Sequence, residues 1–283
     1  YTPTSNVSGT TFSWTRAIIA GISNPAGSGT GNINETLINT TVNPVNVTYI
    51  YTLSASGCTN PVTYNVVVTV NPTPILSTTL TPPAICSNTL FSYNPASGTA
   101  GTTFAWSRAV IAGISNPAAS GFGNPNEILV NTTALTIPVV YVYTLTANGC
   151  SNIQNVTVNV RPTPTLSSTL TPAAICSGTA FIYNASSATP GAVLTWSRAF
   201  IAGILPAGNS GSGNINEVLT NTTANPIVVT YVYNLIATGC TNTQNVVVTV
   251  NPTPTLTSLL NPPAICSNTL FSYNPTSATA GTT

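Results

Sequence analysis

In Val229-Thr230-Tyr231-Val232-Tyr233-Asn234-Leu235-Ile236-Ala237 the residue types alternate. Val229, Tyr231, Tyr233, Leu235 and Ala237 fall on one side of an extended backbone, and Thr230, Val232, Asn234 and Ile236 on the other. A period of two marks a strand packed on its Tyr/Leu face. The pattern returns at Val139, Tyr141, Tyr143, Leu145 and Ala147. Phe104, Trp106 and Arg108 alternate with Thr103, Ala105 and Ser107 as a second strand. Phe91 with Tyr93, and Val156, Val158 and Val160, mark others. Gly149-Cys150-Ser151-Asn152 reads as the turn of a hairpin. Nothing shows the 3.6-residue period of a helix.

Working outward from that strand, the whole chain repeats. The stretch from Tyr1 returns at Tyr93, at Tyr183 and, in part, at Tyr273, at spacings of 92, 90 and 90 residues. Strict recurrence at this period is the mark of one structural unit set out along a line. Each Val-rich run ends in Asn71-Pro72-Thr73-Pro74, Arg161-Pro162-Thr163-Pro164 or Asn251-Pro252-Thr253-Pro254. Proline fixes φ, extends the residue before it and donates nothing to a sheet, so these read as short, stiff linkers. The expected domains are 1–74, lacking its first strands; 75–164 and 165–254, complete; and 255–283, the first strands of a further repeat. About seven short strands in 90 residues, with a tryptophan on a middle strand, predict an all-β fold: a tandem array of Ig-like β-sandwiches.

Composition removes most chemistry. Of 283 residues only seven are charged: Arg16, Arg108, Arg161, Arg198, Glu35, Glu127 and Glu217. Without His, Asp or Lys there is no catalytic triad, no Schiff-base lysine and no imidazole metal ligand. Widely spaced glutamates supply neither a glycosidase pair nor a calcium cage. A net charge of +1 offers phosphates no basic track, so nucleic acid is not an expected partner. The chain is expected not to be an enzyme and to need no cofactor. Its apolar runs are too short to span a membrane. The sequence has no visible signal peptide or initiator methionine, and reads as an excerpt of something longer.

Three residue sets recur. Arg16/Glu35, Arg108/Glu127 and Arg198/Glu217 each stand 19 apart, and read as structural ion pairs rather than ligand-binding arginines. Trp14, Trp106 and Trp196 share a strand face with those arginines, which predicts core packing over a carbohydrate platform. Eight Asn-x-Ser/Thr sequons, at Asn6, Asn34, Asn39, Asn46, Asn131, Asn155, Asn184 and Asn221, read as chance matches in an Asn- and Thr-rich chain.

The six cysteines form two classes. Cys86, Cys176 and Cys266 lie in Ala-Ile-Cys-Ser, and Cys58, Cys150 and Cys240 in Gly-Cys. Regular cysteines without histidine point to disulfides in an oxidising compartment rather than zinc. Pairing within a repeat gives Cys86–Cys150 and Cys176–Cys240. A sandwich, however, sets the corner before its second strand and its last hairpin turn roughly 30 Å apart, whereas a disulfide needs Cα atoms within about 7 Å. The favoured pair is therefore Cys86–Cys240, between repeats, with the other four cysteines pairing outside the sequence.

The motifs Cys-Ser-Gly/Asn, Trp-x-Arg, Tyr-x-Tyr-x-Leu and Gly-Cys-x-Asn, in fixed order, resemble the PKD-like and Ig-like repeats of giant surface proteins of gliding bacteria. The resemblance implies export by the type 9 system and a place in adhesins or filaments. It lacks the acidic Trp-Asp-Phe-Gly-Asp motif; Trp196-Ser197-Arg198 stands there instead.

The expected function is that of an extracellular, cell-surface structural protein: a rod-like filament or adhesin stalk whose partners are near-identical repeats in the same or neighbouring chains. The alternative is a surface-binding module acting on glycan or protein through loops Gly113–Asn126 and Gly203–Asn216. Near-copied loops favour structure. The first and last eleven residues occupy the same place in the repeat, as in a window on a long periodic protein or in a subunit whose last strands complete the next. The redundancy of that overlap favours the window.

Overall fold

The computed structural model describes residues 1–279 and Thr282. Among them the secondary structure is all β. The expected opening of a further repeat, 255–283, extends over residues 280, 281 and 283, which lie outside the described residues.

The first repeat contributes β1 (Thr11–Arg16), β2 (Gly27–Thr30), β3 (Val45–Ala55), β4 (Cys58–Thr59) and β5 (Tyr64–Val70). The second contributes β6 (Ile85–Cys86), β7 (Thr89–Phe91), β8 (Thr103–Arg108), β9 (Ala119–Phe122), β10 (Glu127–Leu129), β11 (Ile137–Ala147) and β12 (Cys150–Arg161). In the third are β13 (Ile175–Cys176), β14 (Thr179–Tyr183), β15 (Val193–Arg198), β16 (Ile204–Leu205), β17 (Asn209–Ser212), β18 (Ile215–Asn221), β19 (Ile227–Ala237) and β20 (Cys240–Asn251).

The third repeat shows the plan in full. One sheet runs β13-β20-β19-β15-β17 and a second β14-β18-β16. β19 and β20 form a long antiparallel hairpin, and β13 lies parallel to the end of β20. The faces enclose Phe181, Trp196, Leu219, Tyr231, Leu235 and Val248. In the second repeat the order β6-β12-β11-β8-β9 returns, with β10-β7 as a two-stranded sheet. Residues 1–74 carry one sheet, β2-β1-β3-β4 with β5 also on β3.

The chain folds as two compact units whose boundaries cut across the 90-residue period. One comprises Tyr1–Ile85, Leu90–Leu129 and Pro138–Asn159, and the other Cys86–Thr89, Val130–Ile137 and Val160–Thr283.

Two expectations need correcting. The hairpin turn falls earlier than Gly149–Asn152. Asn148 and Gly149 have φ of 49° and 78°, the left-handed pair that a two-residue turn needs to match strand twist, and Cys150 already opens β12. Nor are Gly113–Asn126 and Gly203–Asn216 loops throughout. They contain β9 in one case and β16, β17 and the start of β18 in the other. Gly121 and Gly211 are there for packing against Trp106 and Trp196, while Gly123 and Gly213 take the positive φ of a turn. The two extra residues of the first repeat fall at Asn60–Thr63, where Pro61 splits into β4 and β5 what is one strand elsewhere.

Candidate functional site

The 19-residue spacing ends in a bidentate pair three times over. Arg108 Nε and Nη2 donate to Glu127 Oε2 and Oε1 at 2.9 and 2.7 Å. The Arg16–Glu35 bonds are 2.8 and 2.9 Å, and the Arg198–Glu217 bonds 3.1 and 3.2 Å. Each guanidinium closes a strand, with its side chain buried beside the tryptophan two residues back. Nη2 also donates to a backbone carbonyl: Pro25, Pro117 or Ala207. A tyrosine completes the cluster, Tyr141 OH donating to Glu127 Oε2 at 2.6 Å, as Tyr49 and Tyr231 do to Glu35 and Glu217.

These contacts fix the electrostatics. Hydrogen bonds from Arg16 hold the Glu35 carboxyl below the usual carboxylate range. Burial alone would raise Glu127 and Glu217, but bonds from the arginine and tyrosine outweigh it and pull both down. Burial and the adjacent carboxylate push Tyr49 up to about 12 and Tyr141 and Tyr231 higher still. Every charge in the cluster is matched and held in place. The second tyrosine of each Tyr-x-Tyr serves elsewhere: Tyr51, Tyr143 and Tyr233 donate to the carbonyls of Gly31, Gly123 and Gly213.

The tryptophans are buried. Trp14, Trp106 and Trp196 stand edge-on to Tyr49, Tyr141 and Tyr231 at 5.5 Å. On the neighbouring strand Gly29, Gly121 and Gly211 lie directly across from the indoles. A carbohydrate platform needs an exposed ring face, which none of the three offers.

The cysteines and linkers form the second constellation. Cys86 and Cys240 are joined in a disulfide with Cα atoms 5.7 Å apart. Cys58, Cys176 and Cys266 are exposed thiols and Cys150 is half-buried. The linkers are tethered by polar side chains that the composition did not single out. Asn71 Nδ2 donates to the Asn148 carbonyl at 2.8 Å, and in the next copy Arg161 Nη1 donates to the Thr238 carbonyl at 2.6 Å. Gln154 and Gln244 accept from the amides of Leu76 and Leu166. Asn152 and Asn242 donate to the carbonyls of Pro74 and Pro164. Arg161, which the spacing leaves without a glutamate, is thus the arginine version of Asn71. The signal was the recurrence of Asn-x-Gln after Gly-Cys, at Asn152-Ile-Gln154 and Asn242-Thr-Gln244.

Three sequons also have structural work. Asn131 Nδ2 donates to the carbonyls of Leu135 and Val160, while its Oδ1 accepts from Thr133. Asn221 repeats this with Asn225, Val250 and Thr223, and Asn39 with Asn43, Val70 and Thr41. Asn131 and Asn221 are buried, so their amides are closed to modification once the chain has folded.

Among the described residues no three His, Cys, Asp or Glu gather as a metal site, and no helix is long and apolar enough to cross a membrane.

A family model described as PKD-like domain matches residues 1–74 and 83–164, more than half of the chain. A search of curated proteins found no match. Among solved structures, Drosophila N-cadherin EC1-4 is similar at 9% identity over 90% of this chain and 69% of its own, with a TM-score of 0.27. Mouse protocadherin-24 EC1-3 is similar at 12% identity, 89% and 92% coverage and a TM-score of 0.30. The extracellular domains 3–5 of Drosophila OTK are similar at 12% identity, 86% coverage of each chain and a TM-score of 0.30.

Proposed function

The chain belongs to the PKD-like domain family, and from that footing we propose that it is a non-catalytic structural protein of the cell exterior, a rod-like surface filament or adhesin stalk built from serial β-sandwiches. The observation that carries the reading is the linker tethering. The same three hydrogen bonds recur at 78-, 78- and 77-residue separations around Pro74 and around Pro164. A proline linker tied at three points has lost the torsional freedom that lets beads on a string swivel. The Cys86–Cys240 bond suits an oxidising location. The near absence of charge, with the three glutamates already paired, removes repulsion between neighbouring rods and favours lateral association. Export by the type 9 system of a gliding bacterium belongs to the same reading and rests on the sequence resemblance alone.

The test is electron microscopy of native, unreduced material. Continuous rods beaded every 35–45 Å or so, one sandwich plus linker by strand rise, are the expected result. Flexible strings with no fixed spacing would overturn it.

A further inference from the structure

The larger sheet of the second repeat ends in a bare edge. Among the described residues β9 pairs with β8 alone. The Gly123 amide donates to the Phe104 carbonyl at 2.8 Å, which fixes the alternation along the ladder. Phe104/Gly123, Trp106/Gly121 and Arg108/Ala119 exchange bonds, whereas Ser120 and Phe122 turn their amides and carbonyls away from β8. Both residues are exposed. Natural sheets guard such an edge with a charge, a proline or a bulge. β9 reads Ala-Ser-Gly-Phe in unbroken register with β8 and has none of the three.

The corresponding edges of the other repeats are built differently. In the third, Asn209 stands where Ala119 does, and its Oδ1 accepts from the Ser210 amide at 2.9 Å. That outward donor is thus taken by its own neighbour. The outer-face pair across the ladder is Thr195 and Ser212 in the third repeat, and Ser13 and Thr30 in the first. In the second it is Ala105 and Phe122, and Phe122 is 81% exposed. In a chain of close copies, an open ladder and a solvent-facing phenylalanine coincide only at β9.

We propose that β9 pairs antiparallel with β9 of a second copy of this chain, about a two-fold axis at Gly121. The proposal gives the lateral contact of the filament reading its place and rests on that reading. The strand is its own complement. With Gly121 facing Gly121 of the second copy, Ser120 faces Phe122 and Phe122 faces Ser120, and each of these pairs exchanges two backbone bonds. Every outward group is then used. On the outer face each Phe122 ring lies over a small Ser120 and reaches the other Phe122 diagonally.

Charge and area both point to a second copy as the occupant. β9 carries no charge, and a net charge of +1 over 283 residues puts no repulsion in the way of like meeting like. An unrelated strand would satisfy the ladder, but not this matching of large to small about one glycine. The edge is four residues long, so the contact buries far less than the roughly 1,600 Å² of a stable soluble dimer. Its dissociation constant is then of the order of a millimolar. Such a contact holds where copies already lie crowded side by side.

The experiment takes the full chain, its free thiols alkylated, from roughly 20 µM to 2 mM, and follows mass by sedimentation and amide exchange by NMR. The mass should rise toward that of a pair. Exchange at Ser120 and Phe122 should slow about two- to threefold at the top concentration, the occupancy of a millimolar contact, while Ser28 and Ser212 keep their rates. Phe122→Lys, at an exposed position, should weaken the pairing about tenfold and leave exchange in the middle of β11 unchanged. Ala119→Asn, which installs the guard of the third repeat, should act in the same direction. A mass and a Ser120 rate that ignore concentration, or a Phe122→Lys variant that pairs as well as its parent, would overturn the joint. So would protection of Ser120 by an added Thr-Val-Thr-Val-Thr-Val peptide and not by concentration, which would assign the edge to a foreign strand. Evenly beaded rods whose Ser120 exchanges freely would leave the filament reading standing without the joint. A protected edge in material that forms no rods would support the pairing and remove the filament reading alone.

Discussion

Gly121 lies flat against the indole of Trp106, so closely that a β-carbon there would sit 3.0 Å from Cζ2. In the first and third copies the corresponding distances, Gly29 to Trp14 and Gly211 to Trp196, are 2.7 and 2.8 Å. The indole is walled in by Tyr141 and its own strand, so the ring has nowhere to retreat. Gly211→Ala should therefore destabilise by roughly 1–3 kcal/mol, the usual cost of overpacking a filled core. Urea unfolding checks it. Gly213→Ala offers a contrast, because its penalty comes from a φ of +66° rather than from contact.

Arg198 and Glu217 make the most deeply buried of the three ion pairs, at 0% and 5% side-chain exposure. Removing one partner strands the other charge away from water. Arg198→Met alone should cost roughly 3–5 kcal/mol, and the double variant Arg198→Met/Glu217→Leu should recover a large share of it. A double-mutant cycle on unfolding free energies reads both. Strictly additive losses would contradict the pairing.

Stability should be flat across neutral pH and fall at both ends. The folded-state values of Glu35, Glu127 and Glu217 lie below their ordinary 4.5. Their contribution is thus complete above 4.5 and is lost as pH drops through the depressed values. Tyr49, raised to about 12, and Tyr51, Tyr141, Tyr143, Tyr231 and Tyr233, also raised, act in the opposite sense. Their contribution is complete below the ordinary value of 10 and disappears as pH climbs past it. With no His, Asp or Lys in the chain, urea midpoints between pH 5 and pH 8 should coincide. A slope there would contradict the assignment.

Gln244 accepts the Leu166 amide at 2.5 Å. Gln244→Ala removes the acceptor and leaves that linker amide unpaired, at a cost of about 1–3 kcal/mol to the local closed state. Amide exchange at Leu166 should quicken by roughly ten- to a hundredfold, while exchange in the middle of β19 is unchanged.

The strands were readable because each core face is written twice over, once by alternation and again by recurrence 90 residues later. Tyr231 and Tyr233 sit where period two puts them, and the 19-residue Arg–Glu interval stands out because so few other charges are present. What could not be read is the use of side chains against backbone. The Asn131 amide, the Gln244 carboxamide and the Arg161 guanidinium bond to carbonyls and amides, which carry no residue identity. Gly121 and Gly211 were misread for a related reason: a run of Gly and Ser looks like a loop unless the indole opposite is known. The turn at Asn148–Gly149 was displaced by one or two positions because Cys150 drew attention to itself.

The disulfide joins residues 154 apart in sequence. Pull on the two ends, and tension passes from Cys86 straight to Cys240. The intervening stretch, roughly 500 Å of contour at full extension, drops out of the stretched path. Two whole sheets could melt inside that loop without the molecule growing longer. Between those two cysteines the load is carried by a covalent bond, and unfolding inside the loop is a loss of shape without a loss of reach.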